Sequence, residues 1–268
     1  MNYDSVSIVI PVYNTSTEIL SKSFKSITSQ IFKNFEVIII DDSSNIETSK
    51  FCNEYCKVDT RFQHIKPDKK LGLVNSLNLG IRNAKFELIA RFDSDDICFL
   101  DRLSKQVEYL KFNQDIDVLG GNIEVINSNY DTLYIRKYPT SHKKISKSMH
   151  IFCPIAHPTV LYKKEIILKY GNYDSNYKYA EDIDLWLRWL SNGVKFSNLN
   201  TPLIKYRQDS LTRNKEHYKY FLKARLKNFK IKYFPINFIG ILLLSFVLIT
   251  PNFILNNYYK YKYKIDNK

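Results

Sequence analysis

Short apolar runs, each closed by a turn or an acidic cluster and followed by a helix-forming stretch, recur through the first half of the chain. This alternation narrows the fold more than any other feature. Residues 5–10 form a β-branched run ending in Pro11-Val12-Tyr13-Asn14. Residues 35–40 form a second, stopping in Asp41-Asp42-Ser43-Ser44, and residues 86–92 a third, stopping in Asp93-Ser94-Asp95-Asp96. Between the first two lies the capping-box pattern Thr15-x-x-Glu18, then an apolar stripe of Leu20, Phe24, Ile27 and Ile31 at helical spacing. A helix over residues 47–56, a short strand over 62–65 and a helix over 72–83 come next, the last with Leu73, Leu77 and Ile81 on one side. Strands alternating with helices at this spacing predict an α/β fold: a mostly parallel sheet covered on both faces.

The second half is less regular. A helix over residues 100–112 buries Leu103, Val107 and Leu110, and residues 118–126 read as a strand interrupted at Gly120-Gly121. Residues 134–138 fit an edge strand ending at Pro139, 143–150 a short amphipathic helix, 153–158 a loop and 159–162 a strand. Residues 180–190 form a helix with acids in its first turn, and 194–206 hold two strand-like runs separated by Asn200-Thr201-Pro202.

Charge divides the chain more sharply than composition. The net charge is +13, and residues 213–268 carry twelve Lys and Arg against Glu216 and Asp266, leaving the first 212 residues nearly neutral. A basic tail attracts polyanions, either nucleic acid or an anionic bilayer. This tail also contains the apolar stretch 236–249, which a nucleic-acid arm does not need, so a membrane partner and no nucleic acid is the expectation. Fourteen mostly apolar residues fall short of the ~20 that span a bilayer. Basic flanks on both sides and a belt of Tyr258, Tyr259, Tyr261 and Tyr263 point to a re-entrant or surface-lying anchor, with residues 213–232 on the headgroups. The N-terminal run stops at Pro11 and lacks a charged leader, so the body is expected in the cytoplasm. The four cysteines show no paired metal spacing and read as reduced thiols.

Both acidic turns fall at strand carboxyl ends, where α/β sheets bind ligands near the topological switch point. Three carboxylates within four residues repel one another unless a cation or hydrogen-bond donors sit among them. Asp-x-Asp on a strand end offers hard oxygens to Mg²⁺ or Mn²⁺, which keep part of their shell for phosphate oxygens. A diphosphate ligand is therefore expected. A solvated turn capping the next helix is the alternative, and Asp96 is assigned to that cap.

Taken in order, Pro11-Val12-Tyr13-Asn14, Ile40-Asp41-Asp42-Ser43-Ser44, Asp93-Ser94-Asp95-Asp96, His157-Pro158-Thr159-Val160 and Glu181-Asp182-Ile183-Asp184-Leu185-Trp186-Leu187-Arg188 resemble the motifs of family-2 glycosyltransferases with the GT-A fold. The likeness covers roughly residues 5–210 and is greatest to bacterial enzymes that build capsular or lipopolysaccharide-type glycans. It implies a Rossmann-like sheet flanked by helices, with a nucleotide-binding half (1–98), an acceptor half (99–212) and a basic, apolar helical extension (213–268). On the donor side it implies Pro11, Tyr13, Asp42, Asn75, Asp93 and Ser94. Among these, Asp42 would accept the imide N–H of uracil, Pro11 and Tyr13 would line the base and ribose pocket, and Asp93 would contact ribose. Asp95 would ligate Mn²⁺ or Mg²⁺, and Asp182 would be the general base. His157, Glu181 and Trp186 fall on the acceptor side, although Trp186 itself reads as core first and acceptor wall second.

One base and one metal suit a single inverting displacement, since a double displacement asks for a nucleophilic carboxylate as well. The implied partners are a UDP-sugar, a glycan or polyprenyl-linked acceptor and the anionic inner leaflet, with the enzyme on the cytoplasmic face of the membrane. Two positions depart from the family pattern. Leu77-Asn78 stands where an Arg-Asn pair is common, so a diphosphate cation must come from elsewhere, for example Arg91. Tyr206-Arg207-Gln208-Asp209 lacks the histidine that many relatives carry near the metal. Competing readings are a nucleotidyltransferase, which asks for a Gly-rich phosphate loop where Pro11–Thr15 stands, a haloacid-dehalogenase-type phosphatase, and a non-catalytic membrane-bound scaffold.

Overall fold

The computed structural model describes residues 3–208, 215–255 and 257. Its first half alternates β1 (Val6–Val12), α1 (Thr17–Thr28), β2 (Phe35–Asp41), α2 (Ile46–Val58), β3 (Phe62–Ile65), α3 (Gly72–Asn83) and β4 (Leu88–Arg91). These four strands pair in parallel in the order β3-β2-β1-β4. Then follow β5 (Ile97–Cys98), α4 (Arg102–Phe112), β6 (Val118–Ile126), β7 (Thr132–Arg136), α5 (His142–Ser148), β8 (Leu161–Lys163), α6 (Glu165–Tyr170), α7 (Glu181–Ser191) and β9 (Phe196–Arg207). The sheet continues β4-β8-β6-β9-β5, with β8 antiparallel to both neighbours, β6 parallel to β9, and β7 on β6. The architecture is the expected α/β sandwich: parallel where strands alternate with helices, mixed beyond β4.

Alternation along the strands makes two cores. Ile8, Ile10, Val37 and Ile39 face α1 and α4, while Val9, Ile38 and Ile40 face α3 and α7. Trp186, Trp189 and Phe196 fill the second core with rings 5.2 to 6.0 Å apart. β1 is central yet carries Pro11. The Val9 carbonyl accepts from the Phe92 N–H, so the nitrogens of residues 9 and 11 face β4, which ends at Arg91. Proline's missing N–H thus falls past the end of its neighbour and costs no ladder bond. A gap opens there, between β1 and β4, at the switch point of the parallel half.

Several local expectations are corrected. Ile31 is 57% exposed because α1 ends at Thr28, three residues before it. The helix is capped by Ser16, whose hydroxyl accepts from the Ile19 N–H, rather than by Thr15. On α3 the buried stripe is Val74, Leu77 and Ile81, and Leu73, in the first turn, faces outward. β6 runs unbroken through Gly120-Gly121, and β9 is one strand rather than two. The register shifts between Gly121 and Ile123 absorb the Asn200-Thr201-Pro202 irregularity. Pro158 opens a 3-10 turn, His157–Thr159, where an extended strand was expected to begin. β7 begins at Thr132 and ends at Arg136, ahead of the expected run.

The C-terminal extension is docked. α8 (Lys215–Lys227) buries Phe221, Ala224 and Arg225 against α7. Lys227 bridges Asp174 at 2.8 Å and Asp184 at 3.3 Å, and the Asn228 amide donates to Asp184 at 3.0 Å. Arg225 and Lys227 therefore face protein, where the whole basic segment was expected to lie on headgroups. α9 (Phe234–Ile249) packs by Asn237, Gly240 and Leu244. A Cβ at position 240 would overlap the His150 carbonyl, so only glycine allows this approach. Helical structure from Ile231–Ile249 covers 19 residues of mean hydropathy 1.9, of which 17% is buried; by length and composition it is long enough to cross a membrane. The four-tyrosine belt and the boundary at residues 212 and 213 lie outside the described residues.

Candidate active site

Three loops at the carboxyl ends of β1, β2 and β4 are sewn together. Asn14, which takes a left-handed φ of 52° that asparagine tolerates, is the central stitch. Its N–H donates to Ser43 Oγ at 2.9 Å, and its side-chain oxygen accepts from the N–H groups of Ser44 at 3.0 Å and Asn45 at 3.1 Å. Next to it, Thr15 Oγ1 lies 2.8 Å from Ser94 Oγ, and Thr48 donates to the Thr15 carbonyl at 3.0 Å. The loops bearing Tyr13, Asp42 and Ser94 thus form one rim over the gap between β1 and β4.

The two aspartates after β2 separate by burial. Asp41 is fully buried; burial pushes its carboxyl up, but hydrogen bonds from His64, Ser49 and Ser43 outweigh it and hold it well below the usual carboxylate range. Asp42 faces the rim and accepts the N–H groups of Leu71 at 2.7 Å and Gly72 at 2.8 Å, one on each oxygen. Each oxygen keeps lone-pair capacity for a further donor. Tyr13 is 51% exposed, its hydroxyl 2.8 Å from Lys70 Nζ. Asn75 turns its amide back to the Leu71 carbonyl at 2.9 Å, so its donor is committed to its own helix.

After β4, Asp93 is clamped bidentately by the buried Arg91 guanidinium at 2.6 and 2.5 Å. Arg91 is therefore committed to Asp93, where it was expected as a free diphosphate cation. Ser94 is buried against Thr15. Asp95 is partly buried; burial and the Asp93 charge push its carboxyl up to about 6. Asp96 is fully buried, and burial with the charges of Asp93 and Asp95 raises it well above the ordinary value. It accepts the Arg207 N–H at 3.0 Å and so anchors β9, where a helix cap was expected. Its second oxygen has no partner among the described residues. No group of three or more His, Cys, Asp and Glu side chains is gathered as a metal site among them either. The donor set suits a hard cation held by one carboxylate with phosphate oxygens completing its shell, and such a charge offsets the repulsion that raises Asp95. Sequence reasoning passed over Arg207 as a cation. Its guanidinium is mostly buried, its charge lowers Asp95, and Nε and Nη2 have no partner among the described residues.

Opposite the rim stands the N-terminus of α7. Ala180 immediately before it adopts φ 60° and ψ 23°, a left-handed turn that costs an alanine about 1 kcal/mol and aims the helix start. Glu181 is 8% exposed; burial, then the Asp182 charge, push it up to about 7, Asp93 adding to the rise and Arg91 opposing it. The Arg91 N–H donates to the Val160 carbonyl at 3.0 Å, and His157 on the same turn lies 3.8 Å from Glu181, so the end of β4 and the start of α7 lie on either side of that turn. Asp182 is partly exposed, and its Oδ2 accepts from the Cys153 thiol at 3.4 Å. Behind the pair, His157 Nε2 lies 2.7 Å from the Tyr173 hydroxyl. Burial, with the Arg91 charge adding, drives its pKa well down, so its 3.8 Å approach to Glu181 joins a neutral ring to a carboxyl and is no ion pair. Trp186, read as core or acceptor wall, is fully buried and meets His157 edge-on at 5.9 Å, a core residue that backs the site. A groove of about 450 Å³ between α4 and Leu199–Thr201 shares no residue with this cleft.

Residues 7–171 match the model of glycosyl transferase family 2. An uncharacterized glycosyltransferase of Methanocaldococcus jannaschii is 31% identical, over 95% of this chain and 92% of its own length. The O-antigen biosynthesis glycosyltransferase WbnJ of Escherichia coli is 32% identical over 81% of the chain and 85% of the relative. A UDP-Gal:alpha-D-GlcNAc-diphosphoundecaprenol beta-1,3-galactosyltransferase of E. coli is 31% identical over 75% and 73%. Among solved structures, the mannosyltransferase PcManGT of Pyrobaculum calidifontis, in complex with GDP-Man and Mn²⁺, superposes with a TM-score of 0.68 at 15% identity, covering 91% of this chain and 71% of that one. Residues 1–349 of S. aureus TarS, in complex with UDP-GlcNAc, superpose with a TM-score of 0.65 at 17% identity, covering 83% of this chain and 66% of that one. The sheet order, the acidic strand end at the switch point and the matched residues agree on one conclusion: this chain is a GT-A-fold glycosyltransferase belonging to glycosyl transferase family 2.

Proposed function

We propose that the protein transfers a sugar from a UDP-sugar, with inversion, to a glycan or polyprenyl-diphosphate-linked acceptor in surface-polysaccharide synthesis. The observation that carries this reading is the turn at residues 157–160, which joins the end of β4, through the Arg91 N–H on the Val160 carbonyl at 3.0 Å, to the start of α7, through His157 3.8 Å from Glu181. It supports a donor rim and a carboxylate base sharing one cleft. The relatives named for O-antigen and lipid-linked galactosyl transfer support the substrate class.

Each role has a physical reason. Asp42, already fixed by two backbone N–H groups, accepts the uracil imide on its remaining lone pairs, while Pro11 and Tyr13 flank base and ribose. Asp93, oriented by Arg91, and Ser94, oriented by Thr15, hold the ribose and phosphate side, and Asn75 lies behind them on α3. Arg207 supplies the cation that Leu77-Asn78 does not. Asp95 would hold a Mn²⁺ or Mg²⁺, which would supply charge neutralisation for the leaving diphosphate. Asp182 takes the proton of the acceptor hydroxyl as it attacks, and the Cys153 thiol steadies its carboxylate. Glu181, with His157 beside it, borders the acceptor. Residues 1–98 then serve the nucleotide, 99–212 the acceptor, and 213–268 the membrane, with α9 lying on the anionic inner leaflet at the cytoplasmic face.

The test is nucleotide release from a panel of UDP- and GDP-sugars with Mn²⁺ and a diphospholipid-linked acceptor. UDP release with one UDP-sugar, coupled to a product of inverted anomeric configuration, is expected. Release from GDP-sugars alone, or a retained configuration, would overturn the reading.

A further inference from the structure

The apolar surface of α9 continues into the catalytic body. Gly240, near the middle of the helix, lies against the His150–Ile151 backbone, where a Cβ would overlap the His150 carbonyl. The Tyr233 ring, just before the helix, packs on His150 at 4.6 Å. Beside this contact the chain exposes two large apolar side chains in succession, Ile151 at 37% and Phe152 at 49%. They adjoin a helix on which Phe238, Leu242, Leu243 and Phe246 are half exposed or more. α5 leads directly into them, and its three lysines, Lys143, Lys144 and Lys147, all face solvent. Exposed Lys230 and Lys232 precede α9, and Lys215 Nζ donates to the Leu248 carbonyl at 2.9 Å, so lysines border both ends of the helix. Residues 132–164 and 217–257 contain no Asp or Glu. Apolar side chains framed by cations alone fit the headgroup boundary of an anionic bilayer. A second copy of the chain fits poorly, because the same face would set lysine against lysine.

We propose that Ile151 and Phe152 enter the bilayer together with the outer face of α9, with Lys143, Lys144 and Lys147 on anionic headgroups. This rests on the membrane placement of α9 proposed above and extends the lipid-binding surface into the acceptor half. Docked in this way, α9 lies along the bilayer rather than across it. A crossing helix would carry the loop against Gly240 to mid-depth, and lipid does not tolerate exposed irregular backbone there. A helix lying along the surface brings only side chains into the hydrocarbon. The placement also reaches the site. Cys153 is the next residue after Phe152, and its thiol donates to Asp182 at 3.4 Å. The bilayer surface thus borders the acceptor side of the cleft, and an acceptor carried on lipid arrives there without leaving the membrane.

The test uses the full chain with vesicles of phosphatidylcholine alone or mixed equally with phosphatidylglycerol, read by flotation and by quenching with brominated phosphatidylcholine. Trp186 and Trp189 are fully buried, so wild-type emission should be quenched little, and Phe152→Trp should add a strongly quenched component. Ile151→Trp serves if that variant fails to fold. Phe152→Gln should bind mixed vesicles about tenfold more weakly or worse, with its melting temperature unchanged. Replacing Lys143, Lys144 and Lys147 together by Gln should cost about tenfold or more on mixed vesicles and less than about twofold on phosphatidylcholine. Unquenched Phe152→Trp on vesicles that the protein binds, or unchanged affinity in Phe152→Gln and the lysine variant, would overturn the inference and leave α9 as the lipid contact. Wild type that binds neither vesicle would overturn it together with the membrane placement of α9. A dimer that forms without vesicles and is lost in Phe152→Gln would assign the face to a second copy and overturn it as well. Each of these failures leaves the transfer reading standing, since nucleotide release from a UDP-sugar is a separate measurement.

Discussion

Replacing Glu181 by Gln should make the protein more stable at pH 8 and leave it nearly unchanged at pH 4.5. Burial first, and then Asp182 and Asp93, raise the carboxyl from 4.5 to about 7, against the pull of Arg91. His157 and Tyr173 also face it; burial, with the Arg91 charge adding, pushes the His157 pKa well down, so it opposes the rise little. Below pH 4.5 the side chain is protonated in both folded and unfolded chains. Between 4.5 and 7 only the folded chain keeps the proton, so stability falls as pH rises through this window. At 1.36 kcal/mol per pH unit, the cost is fully present above pH 7 at up to about 3 kcal/mol. Glutamine mimics the protonated acid and never incurs it. Urea denaturation of both proteins across pH 4.5–8 reads the difference, because the titrations of groups remote from Glu181 cancel between them. A gap that opens with rising pH, in favour of the variant, is expected. A constant gap, or a wild type more stable than the variant at pH 8, would refute the reasoning.

Three further outcomes follow from single geometric facts. Gly240→Ala should destabilise the docked extension by about 1–3 kcal/mol, seen as earlier proteolysis after α8, because its Cβ meets the His150 carbonyl. Ala180→Gly should stabilise by about 1 kcal/mol in thermal unfolding, since glycine adopts the left-handed φ of 60° without strain. Replacing exposed Leu242, Leu243 and Phe246 by Gln should reduce flotation with vesicles containing anionic lipid while leaving the melting temperature intact. Truncation after Tyr206 is the poorer membrane test, as it strips Phe221 and Ala224 from the core.

The alternating half was legible because one local rule, apolar runs closed by acid or turn, coincides with burial on both faces of β1, β2 and β4. The acidic strand ends were legible for the same reason: their position follows from the strand's end alone. What escaped depends on distant partners. Asp96 reads as a local cap, yet its partner is Arg207, 111 residues away. Arg91 reads as a free cation until Asp93 is seen folded back onto it. The basic tail reads as one uniform surface, but Lys227 turns inward, because tertiary packing alone brings Asp174 and Asp184 alongside it. Residues 206–209 read as the segment nearest the metal, but Arg207 itself counts as a cation there only once β9 is seen to carry it to Asp96, whose carboxylate accepts its N–H at 3.0 Å.

The most direct measurement is sugar transfer and donor affinity side by side for wild type and Asp182→Asn. The variant keeps the size of the side chain and removes its basicity. Transfer falling by about 10²–10⁴-fold, with UDP-sugar affinity unchanged within about threefold, is the predicted result. Near-normal transfer, or donor binding lost in step with transfer, would contradict a base standing across the cleft from the donor rim.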